Sequence, residues 1–389
     1  MKRLTSLFLF LLVASVVSAY TTNKIVIPDV NGYVTLKGDY HIHTVFSDGS
    51  VWPETRVQEA LWEGLDVIAM TDHIDTRSRR WIKRGYISDK CDRNTPYKLA
   101  KDAAEGKDLI VINGGELSRR RPSGHTNVLF VNDNDKIVNE AEKFDNDNAL
   151  ATEVGLKEAR KQNAFIMWNH PHWGKYAPNE TVMMPVHKRL LKEGLFDAIE
   201  VYNSSCGYSP EAHEWCLKHN LAIMGCSDAH APMFVSVDYL GGQHRVVTLV
   251  FAKEKSEASL REAMDARRTA IFAEGMVYGR EQELKPLFEA CVLVKDVKWN
   301  KNGVSFTLEN VSSIPVRLSK APGSEIYRYS RYVNLPPFSS VKMAVNPVLI
   351  ENSQPKLDES VKEIVANFFV ETFHIGAKKP LQVGIKFVR

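Results

Sequence analysis

Residues 39–50 read DYHIHTVFSDGS. An apolar and β-branched run at 34–40 leads into the stretch, and His41 and His43 stand two apart. On an extended backbone that spacing puts both imidazoles on one face, where they can grip one ion. A His-X-His alone is a weak signal, equally at home in a solvated loop. The reading changes because Asp48 follows in the same stretch, residues 71–73 read TDH, and residues 225–230 read GCSDAH. Histidine and aspartate strings recurring in this way point to one shared metal site.

Moving outward, residues 33 to about 280 repeat one grammar: a short apolar run, a polar turn, then a segment with helical spacing. That is βα repetition. Strands are expected at 34–40, 66–70, 109–113, 126–131, 164–168, 198–202 and 221–225, with helices at 53–63, 153–162 and 210–219. Pro53 suits an early helical position. The first strand is followed by His41 and His43, the second by His73, the third by Glu116, the fifth by His170, and the seventh by Asp228 and His230. In a βα barrel the carboxyl ends of the strands share one face, so these residues would converge on one pocket.

The strings HIHTVFSDG, AMTDH, GGELS with the later GHTNVLF, WNHPH and CSDAH resemble, in this order, the PHP (polymerase and histidinol phosphatase) domain family. The resemblance spans roughly residues 33 to 280 and, with the N-terminal segment and the C-terminal extension, is greatest to its secreted bacterial phosphodiesterase-like branch. It implies an α/β fold, a distorted seven-stranded (β/α) barrel holding up to three metal ions. Carried over position by position, it gives His41, His43, Glu116 and Asp228 to a first ion and Asp48, His73 and His230 to a second. Glu116 would bridge to a third ion held by His125 and His170. Imidazoles mixed with carboxylates independently suit Zn, Mn or Fe rather than Mg or Ca. Such ions bring bound water to a near-neutral pKa and stabilise charge at phosphorus, so a metal-bridging hydroxide hydrolysing a phosphate ester is the expected chemistry. The preference for phosphodiesters over monoesters rests on the family resemblance alone.

Catalytic side chains are less determined. Asp72 adjoins His73 and either orients a ligand or caps a turn. Arg119, Arg120 and Arg121 follow Glu116, and one of them is expected to reach phosphate, since the guanidinium fork binds two oxygens at once. Arg77, Arg79 and Arg80 form a similar set. His172 is either a general acid or phosphate contact, or a brace for its loop. Glu200 and Asn203 fall on the expected active face, while Trp52, Trp173 and Tyr176 either shape the pocket mouth or pack. His187, His213 and His219 lie in helical segments and are expected at the surface.

Residues 1–19 join Lys2 and Arg3 to an apolar run and a small-residue site ending at Ala19, the layout of a signal peptide, so an exported, periplasmic or extracellular protein is expected. The run is shorter than the roughly 20 residues that span a bilayer, and no later run is long enough, so no membrane association is expected after cleavage. Five cysteines without close pairs argue against a disulfide framework and a cysteine zinc site. A net charge of +3 gives no reason to expect a nucleic-acid partner. From about residue 286 alternating runs at 297–299, 303–308, 327–333, 340–345, 367–372 and 381–387 suggest a smaller, sandwich-like all-β domain. That domain is structural, a substrate rim or a dimerisation element, and an oligomer is possible. The expected organisation is therefore residues 1–19 signal peptide, 20–32 lead-in, 33–285 barrel and 286–389 β domain. The substrate is expected to be a small-molecule phosphate ester. Rival readings are a phosphomonoesterase of the same fold, an amidohydrolase and a non-catalytic metal protein; closed structural sites need only four ligands, and nine candidates imply open positions.

Overall fold

The computed structural model describes residues 24–76, 79–173, 181–348, 357 and 360–389. The signal segment, Arg77 and Tyr176 lie outside these residues, as do the side chains of Arg79 and Arg80.

Seven strands form the barrel: β1 (Val34–Asp39), β2 (Val67–Met70), β3 (Ile110–Ser118), β4 (His125–Leu129), β5 (Phe165–Trp168), β6 (Ala198–Asn203) and, after the short β7 (Gly207–Tyr208), β8 (Ala222–Cys226). β2, β5, β6 and β8 are buried along their whole length, as expected of apolar runs covered on both faces. The helices between them start and stop where local chemistry dictates. α1 (Pro53–Glu63) opens on Pro53 and ends at Gly64, whose φ of 72° glycine adopts without strain. A later helix, Pro210–His219, is capped by the Ser209 hydroxyl accepting from Ala212 N.

Strict βα repetition holds only in part. β1, β2 and β3 pair in parallel, as do β5, β6 and β8, but β4 runs antiparallel between β3 and β5. The chain turns back at 119–124 with no helix, and apolar runs carry no mark of strand direction. His125, the first residue of β4, is therefore on the same face as Glu116 and the end of β5.

The barrel's seam is irregular. β8 pairs with β6, and on its other side side chains replace a ladder: Thr248 Oγ1 binds both Gly225 N and Gly225 O, and Thr269 Oγ1 accepts from Ile223 N. Gly225 permits this approach, because a Cβ there would lie 2.4 Å from Ile271 Cγ2. Just past the strands the backbone closes instead, with Asp228 N donating to His41 O at 2.8 Å and His43 N to Ala229 O at 3.0 Å. Beside it, Glu116 N donates to Asp72 O and Ile74 N to Glu116 O, pairing His73 with Glu116. Residues far apart in sequence are thus locked in register by main-chain bonds.

Three further strands, β9 (Val247–Ala252), β10 (Thr269–Ala273) and β11 (Met276–Gly279), extend the sheet antiparallel beyond β1. The C-terminal part has two sheets. One contains β14 (Val316–Lys320), β16 (Tyr332–Leu335), β18 (Glu363–His374) and β19 (Pro380–Val388), and joins the barrel sheet where β18 pairs in parallel with β11. The other contains β12 (Val292–Asn300), β13 (Gly303–Asn310), β15 (Tyr327–Arg328) and β17 (Ser340–Pro347). β9, β10, β11 and β14 were not expected from the sequence. Phe306 and Phe387 pack ring to ring between the two sheets at 4.5 Å, and the apolar core runs on unbroken to Leu249 and Phe251 of β9. No disulfide joins the cysteines among the described residues, and no described helix is long and apolar enough to cross a membrane.

Candidate metal centre

The strand ends bring nine side chains into one cluster. His41, His43 and Glu116 are wholly buried, and His230 is the most open of the histidines. His41 Nε2 lies 3.3 Å from both Glu116 Oε1 and Asp228 Oδ1, and His43 Nε2 lies 3.1 Å from Asp228 Oδ1. Asp48 bridges His73 Nε2 at 3.3 Å and His230 Nε2 at 3.2 Å. Glu116 also meets His73 Nδ1 at 2.5 Å, His125 Nδ1 at 3.1 Å and His170 Nε2 at 3.5 Å. The donors fall into four overlapping groups able to hold an ion: His43, Asp48, His73 and His230; His41, His43 and Glu116; His41, His170 and Asp228; and His73, Glu116 and His125. His43 belongs to two of them and stands where these groups meet.

The electrostatics are those of a site built for cations. Burial works against a charge on His41, yet the carboxylates of Asp228, Glu200 and Glu116 hold its pKa well above the usual value. His73 behaves likewise through Glu116 and Asp48. His43 is pushed down to about 3 by burial, with His73 and His230 adding to the effect. Glu116 and Asp228 resist the upward push of burial and sit well below the ordinary carboxylate range, because imidazoles surround them. His41 Nε2 and His43 Nε2 are buried with no hydrogen-bond partner among the described residues. Buried polar atoms are normally paired. These two aim at carboxylates instead, and a divalent cation between them fits the donor set.

A layer of partners orients the cluster. Glu200 Oε1 meets His41 Nδ1 at 3.2 Å, and its Oε2 accepts from His170 N at 2.8 Å. Asn169 donates to Glu116 Oε1, Asn203 to Asp228 Oδ2, and Ser47 Oγ stands 3.3 Å from His43 Nδ1. Such contacts fix ring orientation and ligand basicity. Asp72 joins this layer: it accepts from Thr44 N, Thr44 Oγ1 and Ser47 Oγ and so braces the loop after His43. Arg56, wholly buried, donates to the carbonyls of His43, Ala229 and Ala231 and ties the two ligand loops together. Asp228 and His170 hold their places at positive φ, 53° and 24°, a conformation uncommon outside glycine. Asn169, Ser47 and Arg56 were missed from the sequence. Asn169 stood beside a ligand in WNHPH, whereas nothing in α1 marks Arg56.

The three arginines part company. Arg119 is buried and ion-paired with Asp75 and Asp145, its Nη1 2.8 Å from Asp145 Oδ1, while its Nη2 has no hydrogen-bond partner among the described residues. Arg120 is exposed. Arg121 lines a cavity of about 120 Å³ together with His125, Asn169 and His170, so it is the arginine the fold brings to the cluster. His172 donates from Nε2 to Gly207 O at 2.8 Å and braces the turn at β7. Trp173 packs near His125 and His170, and Trp52 lies against Phe46.

His219 is exposed as expected, but His187 and His213 are buried, contrary to the surface position expected of them. Their helix faces carry Leu190 and Cys216 one turn on, both in the core. His187 stacks on Trp168, accepts from Met184 N and donates to Ser123 O; His213 pairs with the Tyr208 hydroxyl. Burial lowers both pKa values to about 4. An unfolded chain, whose imidazoles titrate near 6.5, binds more protons than the fold between those values, so each group withdraws up to about 1.4 kcal/mol of stability per unit as pH falls through that window. Melting temperature measured from pH 7.5 to 5 should accordingly fall less steeply in His213→Gln than in the wild type; parallel curves would refute this.

No protein-family model matches the chain, and no curated protein matches it. Among solved structures, the chain is similar to a two-domain protein from Bacteroides vulgatus containing a predicted PHP-like metal-dependent phosphoesterase, with 36% identity over 94% of this chain and 98% of that one and a TM-score of 0.83. It also has partial likeness to a candidate metal-dependent phosphoesterase from Bifidobacterium adolescentis (16% identity, 51% of this chain and 89% of that one, TM-score 0.37). A third likeness is to an amidohydrolase from Chromobacterium violaceum (16%, 50% and 88%, TM-score 0.35), and neither of these two is close enough to bear on function. The first, matched over nearly the whole length of both chains, decides the family: the chain belongs to the PHP-like metal-dependent phosphoesterases.

Proposed function

We propose that the protein is an exported hydrolase of phosphate esters, acting on phosphodiesters at a centre of up to three divalent ions. The observation that carries the metal reading is the pair of unpartnered buried nitrogens, His41 Nε2 and His43 Nε2, facing Glu116 and Asp228. His41, His43, Glu116 and Asp228 would hold one ion, Asp48, His73 and His230 a second, and His125 and His170 with Glu116 a third. Mixed imidazole and carboxylate donors favour Zn, Mn or Fe. When bound, such ions lower the pKa of water and offset charge on phosphoryl oxygens.

The chain's own residues supply the rest. Arg121, which lines the cavity against His125 and His170, would bind a non-bridging oxygen as a fork donor. Glu200, Asn169 and Asn203 hold the imidazole and carboxylate donors in fixed orientation. The diester preference is supported by two separate cavities at the cluster, one against His125 and His170, the other against Asp228 and His230, with no lining residue in common. A diester carries two groups on phosphorus and needs room for both.

Metal analysis and intact mass of the purified protein, with a panel of mono- and diesters, test the reading. It expects bound transition metal, an N-terminus at Tyr20, and diester turnover that a chelator removes and added metal restores. Turnover indifferent to chelation would overturn it.

A further inference from the structure

The cavity against Asp228 and His230 is the larger of the two, about 770 Å³, within the range that encloses a small-molecule ligand. It runs from the cluster past the ends of β6 and β10 to Ser313, Pro315 and Pro337, in turns of the C-terminal sheets. Its chemistry is uneven. Ser204, Ser205, Ser236 and Gln243 offer hydroxyls and an amide. Arg245 lines it but is wholly buried and committed to Glu63 and Asp39, and His244 is kept neutral by burial. Beyond the cluster residues and Arg245, the charged side chain that the described residues place on its wall is Glu274. This carboxylate rides on the tight turn between β10 and β11, where Glu274 and Gly275 have φ of 49° and 73°, a geometry that usually selects Asn-Gly. Glu274 also faces the Tyr202 phenol, whose proton burial and that carboxylate together hold on.

We propose that this cavity holds the alcohol on that side of the phosphate and selects an uncharged polyol, such as a sugar, cyclitol or glycerol unit. Glu274 accepts hydrogen bonds from its hydroxyls, and a carboxylate acceptor makes such bonds stronger than a neutral one would. The same charge repels a second phosphate, so the site discriminates by rejection as well as attraction. The C-terminal sheets thereby contribute the far wall of the substrate site. The inference rests on the phosphoesterase reading and adds the class of ester to it.

The test compares glycerophospho-myo-inositol with its 4-phosphate, which differ by one phosphate on the polyol. The wild type should favour the uncharged ester by at least about tenfold in kcat/KM, and Glu274→Lys should bring the ratio to one or below. Glu274→Gln should fall between them. Glu274 is exposed on a turn, so both variants are expected to fold. A wild-type ratio near one, or a ratio unchanged in Glu274→Lys, overturns the proposal. If neither ester turns over and the wider panel of mono- and diesters gives no turnover either, the proposed hydrolysis fails, and calorimetric dissociation constants for the same two esters decide the cavity by the same ratio. Equal affinity, or no binding, would then overturn it.

Discussion

Asp228→Asn is expected to lower turnover of bis(p-nitrophenyl) phosphate by at least about a hundredfold while leaving the fold intact. Changes to the outer partners of metal ligands already cost 10–100-fold, so roughly a hundredfold is a floor for a ligand itself. Asp228, buried far more deeply than Asp48, faces three imidazoles: Oδ1 lies 3.3 Å from His41 Nε2, 3.1 Å from His43 Nε2 and 3.7 Å from His230 Nδ1. Removing its charge leaves three imidazoles facing one another and weakens every ion they would share. Asparagine keeps the shape and tolerates the φ of 53°, where alanine would add strain, so Asp228→Asn isolates the charge and Asp228→Ala tests it more severely. His43→Ala should behave similarly. Metal content per chain should fall with activity, and the far-ultraviolet circular dichroism should stay the same. Full turnover in variants of measured metal content would remove Asp228 and His43 from the centre.

Much of this site was legible because strand ends in a barrel are a topological position, and apolar runs mark where strands end. His41, His43, His73, Glu116, His170, Asp228 and His230 could be placed together on that ground. His125 could not: β4 runs against its neighbours, and direction is set by pairing partners that an apolar pattern does not reveal. Only the family resemblance singled it out. Arg119, Arg120 and Arg121 are chemically identical in sequence, and their fates diverge because Asp75 and Asp145 take Arg119. His187 and His213 were misplaced although a signal existed, since each shares a helical face with a core residue one turn on. Glu274 gave no sign at all, because its importance comes from a cavity between segments that only the folded chain brings together.

Arg245→Met is expected to cost about 3–5 kcal/mol of stability. Arg245 Nη1 lies 3.1 Å from Asp39 Oδ2, its Nε reaches both oxygens of Glu63 at 2.9 and 3.0 Å, and its Nη2 also pairs with Glu63. All three side chains are wholly buried. An intact triad of this kind contributes little net stability, because desolvation offsets attraction; deleting the cation alone strands two carboxylates without water or partner. Burial already lifts the Asp39 pKa against the opposing pull of Arg245 and Ser227. Without Arg245 the Asp39 carboxyl would rise further, and a group whose folded pKa exceeds its unfolded value loses stability as pH rises through the folded one. The deficit should therefore be larger at pH 8 than at pH 5, and it should show as a lower denaturant midpoint with an unchanged slope. The effect should also reach the metal centre. Asp39 accepts from Ser227 N and Oγ and from His41 N, and so joins the first ligand strand to the segment carrying Asp228. Metal affinity in Arg245→Met should fall below that of Lys386→Ala, which breaks only the exposed pair with Glu363. A loss under about 1 kcal/mol, with affinity equal to that control, would mean that the triad is solvated and carries no such tie.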